Sequence, residues 1–327
     1  MRRIAVATWL AGVGLLLALF VGADINAALG AVTAIKWGLG LILAYHILPV
    51  LADSIGWRSL FGAQPPSLAL LYGCRWIAEA GNSLLPAAQV GGEFVRGRLA
   101  RLAGIEGPVA WASVIVDVTM GVASQGVFTL IGIALLLLLH QGGDLADALA
   151  LGLGLMALAA LAFYLVQRAG LFGAAAHALT HRLQPPGWRP DIASAQALDQ
   201  AIDAIYRKRR CVARGTVWRL AGWLTSAGEV WLVLLLLGHP VGWPEAIIFE
   251  SLSQAVRTAA FAIPGGLGVQ EGTLLLLAQP LGIPAEAALA LSLVKRLREI
   301  LLGLPALLVW QTVEARLRLR TARVRVG

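Results

Sequence analysis

The sequence predicts an all-α polytopic membrane protein arranged as an inverted repeat, with about six full transmembrane helices and two re-entrant hairpins. Composition is the first observation behind this. Apolar residues make up 58% of the 327 and charged residues only 13%, and the mean hydropathy is +0.77. A soluble domain of that composition lacks the polar groups to cover its surface. The second observation is where the basic residues fall. They gather in a few segments between apolar runs, so membrane topology, rather than a nucleic-acid partner, accounts for the net charge of +8.

The third observation is an internal echo. CRWIAEAGNSLLPAAQVGGEF, from Cys74 to Phe94, is answered by SLSQAVRTAAFAIPGGLGVQEG, ending at Gly272. Pro86 and Pro264 lie 178 positions apart, and so do Pro66 and Pro244, Glu93 and Glu271, Gly104 and Gly282, and Ile105 and Ile283. At the same spacing Glu79 falls on Arg257 and Asp117 on Lys295. The reading is a duplicated unit with opposite charges at corresponding positions; the alternative is coincidence in a low-complexity apolar chain.

Taken in order, residues 1–139 form the first repeat. Ile4 to Gly22 follows two arginines and is long enough for a first span, with signal-peptide cleavage near Ala23 to Ala27 as the alternative. A second span is expected from Thr33 to Leu51, with Lys36 snorkelling at its start. DSIGWRSLFGAQPP then reads as an interfacial connector. Residues 67–104 can be a full span or a cytoplasmic-side re-entrant hairpin. A full span would put Arg96, Arg98, Arg101 and the later basic loop outside, so the positive-inside bias favours the hairpin. The span 108–139 closes the repeat.

Residues 140–315 form the second repeat. The loop HQGGD has no Lys or Arg, and 146–166 returns inward to a cytoplasmic loop, 168–214, that carries eight of them. Within it Ile192, Ala195, Leu198, Ile202 and Ile205 recur at helical spacing behind Asp191, which predicts a capped amphipathic helix resting on anionic headgroups. A regulatory role is the alternative. The span 216–237 leads to HPVGWPE, again without Lys or Arg, and 246–283 is the second hairpin, on the outer side. Its returning limb is too short to span. The span 284–311 then reaches a basic tail, 316–327, which places both termini in the cytoplasm.

RWIAEAGNSLLPAAQVGGEFVRGRL and SLSQAVRTAAFAIPGGLGVQEG resemble the hopanoid-biosynthesis-associated branch of the flippase-like membrane proteins. That superfamily shares its fold with the membrane half of lysylphosphatidylglycerol synthase. The resemblance covers nearly the whole chain and implies a lipid-handling protein of the bacterial inner membrane. Its expected partners are membrane lipids with anionic or polyol headgroups, hopanoids included, and enzymes of lipid biosynthesis. Aminoacylation is not carried over.

The central chemistry can be argued from the residues alone. An ionisable group at mid-membrane costs about 2.5–3.5 kcal/mol on insertion scales, so such groups face a cavity or one another. Arg75, Glu79, Glu93, Arg96, Asp117, Glu229, Glu250, Arg257, Glu271, Lys295, Arg296, Arg298 and Glu299 are placed in this way. The expected headgroup site comprises Arg75, Glu79, Asn82, Glu93, Arg96, Asp117, Arg257, Glu271, Lys295, Arg296 and Arg298. The glycines Gly265, Gly266 and Gly268 join it by freeing backbone N–H groups for an anion, unless they only form a hairpin tip. The glutamates either serve transport or proton coupling or form internal ion pairs that let the hairpins sit in the membrane.

No cofactor or metal site is expected. HExxH and GxSxG motifs are missing, and the five histidines are scattered over loops and helix ends, where solvated or capping roles are expected. Two isolated cysteines, Cys74 and Cys211, suggest no disulfide framework. The function expected is movement of polar-headed lipids between leaflets, not catalysis. The alternatives are a scaffold in a lipid-biosynthesis complex and an intramembrane transferase using Glu93 or Glu271 as base.

Overall fold

The computed structural model describes residues 30, 32–33, 35–85, 91–139, 192–260, 263 and 267–326, and among these all regular structure is helical. The expected spans at Ile4 to Gly22 and Ala146 to Val166, both hairpin prolines Pro86 and Pro264, and Gly265 and Gly266 lie outside the described residues. Among the described residues, three helical stretches are long and apolar enough to cross a membrane: Gly38–Ser59, Gly107–Leu139 and Arg209–Leu236. Large apolar side chains such as Leu138, Val217, Leu276 and Leu308 point outward from the molecule, as expected of surfaces facing lipid.

The first of these stretches is two helices in line, α1 (Gly38–Tyr45) and α2 (Ile47–Ser59), with His46 at the joint. Pro49 explains the joint. It has no N–H to bond to the Tyr45 carbonyl, and its ring presses on that carbonyl. The stretch runs on to Ser59 rather than ending at Leu51, so Asp53 and Trp57 lie within the helix and not in an interfacial connector. The reason is packing: Trp57 is fully buried and donates through Nε1 to Ser113 at 3.1 Å.

Helix α3 (Leu68–Leu84) starts at Ser67, whose hydroxyl accepts from the Leu70 N–H, and ends at Leu85 in an extended conformation, as the residue before Pro86 requires. Helix α4 (Gly91–Leu102) folds back against α3. Gly92 makes that approach possible. Its N–H donates to Asn82 Oδ1 at 2.7 Å, and a Cβ there would sit 2.0 Å from the Ala78 carbonyl oxygen. Helix α5 (Gly107–Leu139) follows.

Helix α6 (Ile192–Arg207) has the predicted amphipathic stripe, but protein covers it instead of headgroups. Ile202 and Ile205 are buried in a cluster with Trp57, Leu71, Leu99 and Val116, and α6 packs on α5. That cluster already offers an apolar wall, so the stripe buries its area there. Helices α7 (Arg209–Leu236), α8 (Trp243–Ala259), α9 (Val269–Ala278) and α10 (Ala285–Val326) complete the described fold. Val233, Ile248, Phe249, Leu252, Leu274 and Leu291 form a second buried cluster among them.

Helix starts repeat the spacing found in the sequence. Helices α4 and α9 begin at 91 and 269, and α5 and α10 at 107 and 285. Gly104 and Gly282 both take positive φ, +97° and +69°, the left-handed conformation glycine tolerates at a helix end. The Ile105 N–H then bonds the Ala100 carbonyl, and the Ile283 N–H bonds the Ala278 carbonyl. The two helix ends are closed in the same way.

Candidate functional site

Between the two apolar clusters lies a polar cavity of about 270 Å³. Helices α2, α3, α4, α7, α8 and α10 each contribute to its wall. Its charged lining consists of His46, Asp53, Arg75, Glu79, Glu93, Arg96, Glu229, Glu250, Arg257, Arg298 and Glu299. Asn82, Ser83, Trp223, Ser226, Gln254 and Thr258 add neutral polar groups.

One set of ion pairs joins α2, α3, α4, α5 and α7. The Arg75 guanidinium reaches Asp117 at 2.8 Å and Asp53 at 3.0 Å, and Arg219 reaches Asp53 at 2.5 Å. Arg96 bonds Asp117 and Glu93, each at 2.6 Å, and lies over the Trp57 ring 4.6 Å from its centroid. Asp117 is thus clamped between two arginines, which is why a carboxylate is tolerated at a fully buried position.

A second set joins α1–α2, α3, α7, α8, α9 and α10. His46 meets Glu229 at 2.8 Å and Glu79 at 2.9 Å, and Arg298 straddles Glu229 at 2.5 and 2.7 Å. Glu299 is shared by Arg257 at 2.9 Å and Arg296 at 3.1 Å, and Arg296 also reaches Glu271 at 3.0 Å. Lys295 pairs with Glu250 in a short contact.

The two repeat-related opposites, Glu79 with Arg257 and Asp117 with Lys295, are therefore not partners. Each is neutralised by a different group. Of the expected site, Arg75, Glu79, Asn82, Glu93, Arg96, Arg257 and Arg298 line the cavity. Asp117, Glu271, Lys295 and Arg296 are not in its wall and bond the residues around it. Gly268 caps α9 with φ +76°.

Sequence reasoning placed Glu229, Glu250 and Glu299 among the intramembrane charges but not in the expected site, and it missed four further members altogether. Asp53 and Arg219 were hidden because each sits within one helix turn of an expected span end. His46 was assigned a solvated or capping role, yet it is buried between two carboxylates. Trp223 lines the cavity with an indole N–H that has no protein partner. A histidine inside an apolar run was the one signal available for this part of the site.

Exposure within the lining is uneven. The Glu79, Glu93 and Asp53 side chains are 40%, 26% and 25% exposed, whereas Arg75 and Arg257 are at 13% and Arg96 at 1%. Three carboxylate side chains of the lining are thus more exposed than these three guanidinium side chains. Among the described residues no group of His, Cys, Asp and Glu has the arrangement of a metal site.

No match to a protein of curated function was found. Residues 3–306 match the family described as the lysylphosphatidylglycerol synthase TM region, and with a buried, fully ion-paired polar cavity set among membrane-length helices, this chain belongs to that family of multi-pass membrane proteins.

Proposed function

We propose that this protein moves polar-headed lipids between the leaflets of the bacterial inner membrane, with the central cavity receiving the headgroup. The observation that carries the reading is the cavity itself: about 270 Å³ of polar space walled by helices of opposite ends of the chain. A plain structural core has no use for such a volume, since burying charge is costly unless something polar is to be accommodated. The matched helix starts and the matched Gly104 and Gly282 turns support descent from a duplicated unit. An inverted arrangement would place the two hairpins, 67–104 and 246–283, on opposite faces, with six full spans and both termini cytoplasmic.

Two headgroup classes were expected, anionic and polyol. The exposed carboxylates favour the polyol class, which includes hopanoid-like lipids. Hydroxyls can donate to Glu79, Glu93 and Asp53, whereas a phosphate would meet three negative groups first.

The test is movement of a fluorescent polyol-headed lipid across proteoliposome leaflets. Arg257→Gln and Glu79→Gln should insert at normal levels and slow the movement roughly 10- to 100-fold, the effect of losing one charge-assisted contact. Movement at the wild-type rate in both variants would make the charges structural. Wild-type protein that moves no lipid but binds lipid-synthesis enzymes would mark a scaffold, and product formed from an added donor would mark a transferase.

A further inference from the structure

The geometry points to His46 as a proton-binding site in the cavity wall, at which a proton is taken up and released in step with lipid movement. The coupling rests on the function proposed above; the proton site itself does not.

Three observations meet at this ring. First, Nε2 lies 2.9 Å from Glu79 Oε1 and so carries a proton donated to that carboxylate. Nδ1 faces two groups of opposite demand: Glu229 Oε2 at 2.8 Å, an acceptor, and Arg298 Nη1 at 2.7 Å, a donor. Both cannot be hydrogen bonds at once. With a proton on Nδ1 the ring donates to Glu229. Without one, its lone pair accepts from Arg298. The two arrangements differ by one proton, and Arg298 is the group that must reorient between them.

Second, that proton brings the charges into balance. Among the described residues the ion-pair network holds eight carboxylates (Asp53, Glu79, Glu93, Asp117, Glu229, Glu250, Glu271 and Glu299) and seven arginine or lysine cations. An imidazolium at position 46 brings it to neutrality, which a low-dielectric interior favours. The groups facing the ring come from every helix packed on it. Glu79 is on α3, Glu229 on α7, and Arg298, with Glu299 and Lys295 near it, on α10; Tyr45 and Asp53 share its own span.

Third, the buried ring borders open space inside the protein. His46, Glu79 and Arg298 line the main cavity and also a second one of about 10 Å³, room for one water, bounded by Trp76, Leu302 and Gly303. His46 thus borders both spaces. Its position at the α1–α2 joint links a change in its bonds to the point where that span is already broken. The proton comes from cavity water onto Nδ1 and returns to it, and no covalent bond is made.

The first arm of the test uses no lipid. Replacing His140, His177, His181 and His239 with Gln leaves His46 as the one histidine of the chain and changes none of the described residues that line the cavity. Its imidazole ¹⁵N signals, followed in detergent over roughly pH 5 to 10, should pass between an imidazolium and a neutral ring protonated on Nε2. Arg298→Gln in that background should change the pH at which this happens. A ring that keeps one form throughout, or that ignores Arg298, overturns the proposal.

The second arm measures lipid movement in proteoliposomes over the same range. Wild type should depend on pH and His46→Gln should not. A wild type indifferent to pH, or His46→Gln with unchanged pH dependence, overturns the coupling. If wild-type protein moves no lipid at all, the transport reading falls and the ¹⁵N titration still decides the proton site.

Discussion

Replacing Glu250 with Gln should be among the most damaging single changes in this protein. Glu250 and Lys295 are 2% and 4% exposed, and the carboxylate is the one ion-pair partner within reach of the Lys295 ammonium among the described residues. Gln254 Nε2 donates to the other oxygen at 3.0 Å. A glutamine at 250 would keep an acceptor for Gln254 but turn an uncharged amide to the ammonium, leaving a buried charge unpaired. Breaking one partner of such a pair costs about 3–5 kcal/mol, a roughly 150- to 5,000-fold shift in the folding equilibrium. Replacing both, Glu250→Gln with Lys295→Met, removes the stranded charge and should bring stability back to within about 1 kcal/mol of wild type. Unfolding in mixed micelles, followed by tryptophan fluorescence, measures all three variants. If Glu250→Gln costs under about 1 kcal/mol, or if the double variant is no better than the single, the pair is solvated and the interior is wetter than its burial implies.

Two further outcomes are expected. Gly92→Ala should destabilise by at least about 1–3 kcal/mol, because the new Cβ would lie 2.0 Å from the Ala78 carbonyl oxygen; Gly73→Ala, with nothing within 4 Å, should be neutral or slightly stabilising in the same thermal unfolding assay. For the proposed topology, cysteines placed at Gly143 and Gly242 should react with an impermeant maleimide on intact cells and one at Ala195 should not. Labelling at Ala195 would reverse the assignment of sides.

How far the site could be read from sequence depended on whether a residue's role was local. The 178-residue spacing was visible because two like turns need the same residues: glycine at 104 and 282 for positive φ, and an apolar Ile after each. The intramembrane charges were visible because charge inside an apolar run is costly and therefore conspicuous. Their pairing was not visible. Glu79 and Arg257 align in the repeat, yet Glu79 bonds His46 and Arg257 bonds Glu299, since partners are chosen by how helices pack and not by sequence register. Asp53 escaped for a related reason. Its helix continues past the apolar run because Trp57 buries and Asp53 finds Arg75 and Arg219, and none of those contacts is local.

Ion pairing as structure and ion pairing as function are not rival accounts of this cavity. Each charge carried into the membrane costs about 2.5–3.5 kcal/mol on insertion scales, so a site with this many must neutralise itself while empty. That condition also selects what the site can accept. A hydroxyl-bearing headgroup replaces cavity water at Glu79, Glu93 and Asp53 without separating any pair, because carboxylates paired to arginine keep lone pairs free for further donors. A phosphate can reach Arg75 or Arg96 only by displacing Asp53 or Asp117, at the cost of leaving a buried carboxylate unpaired. On the proposed function, closed pairing would make the cavity tolerant of polyols and resistant to anions, and a single proton at His46 would be the smallest change of charge able to alter that state.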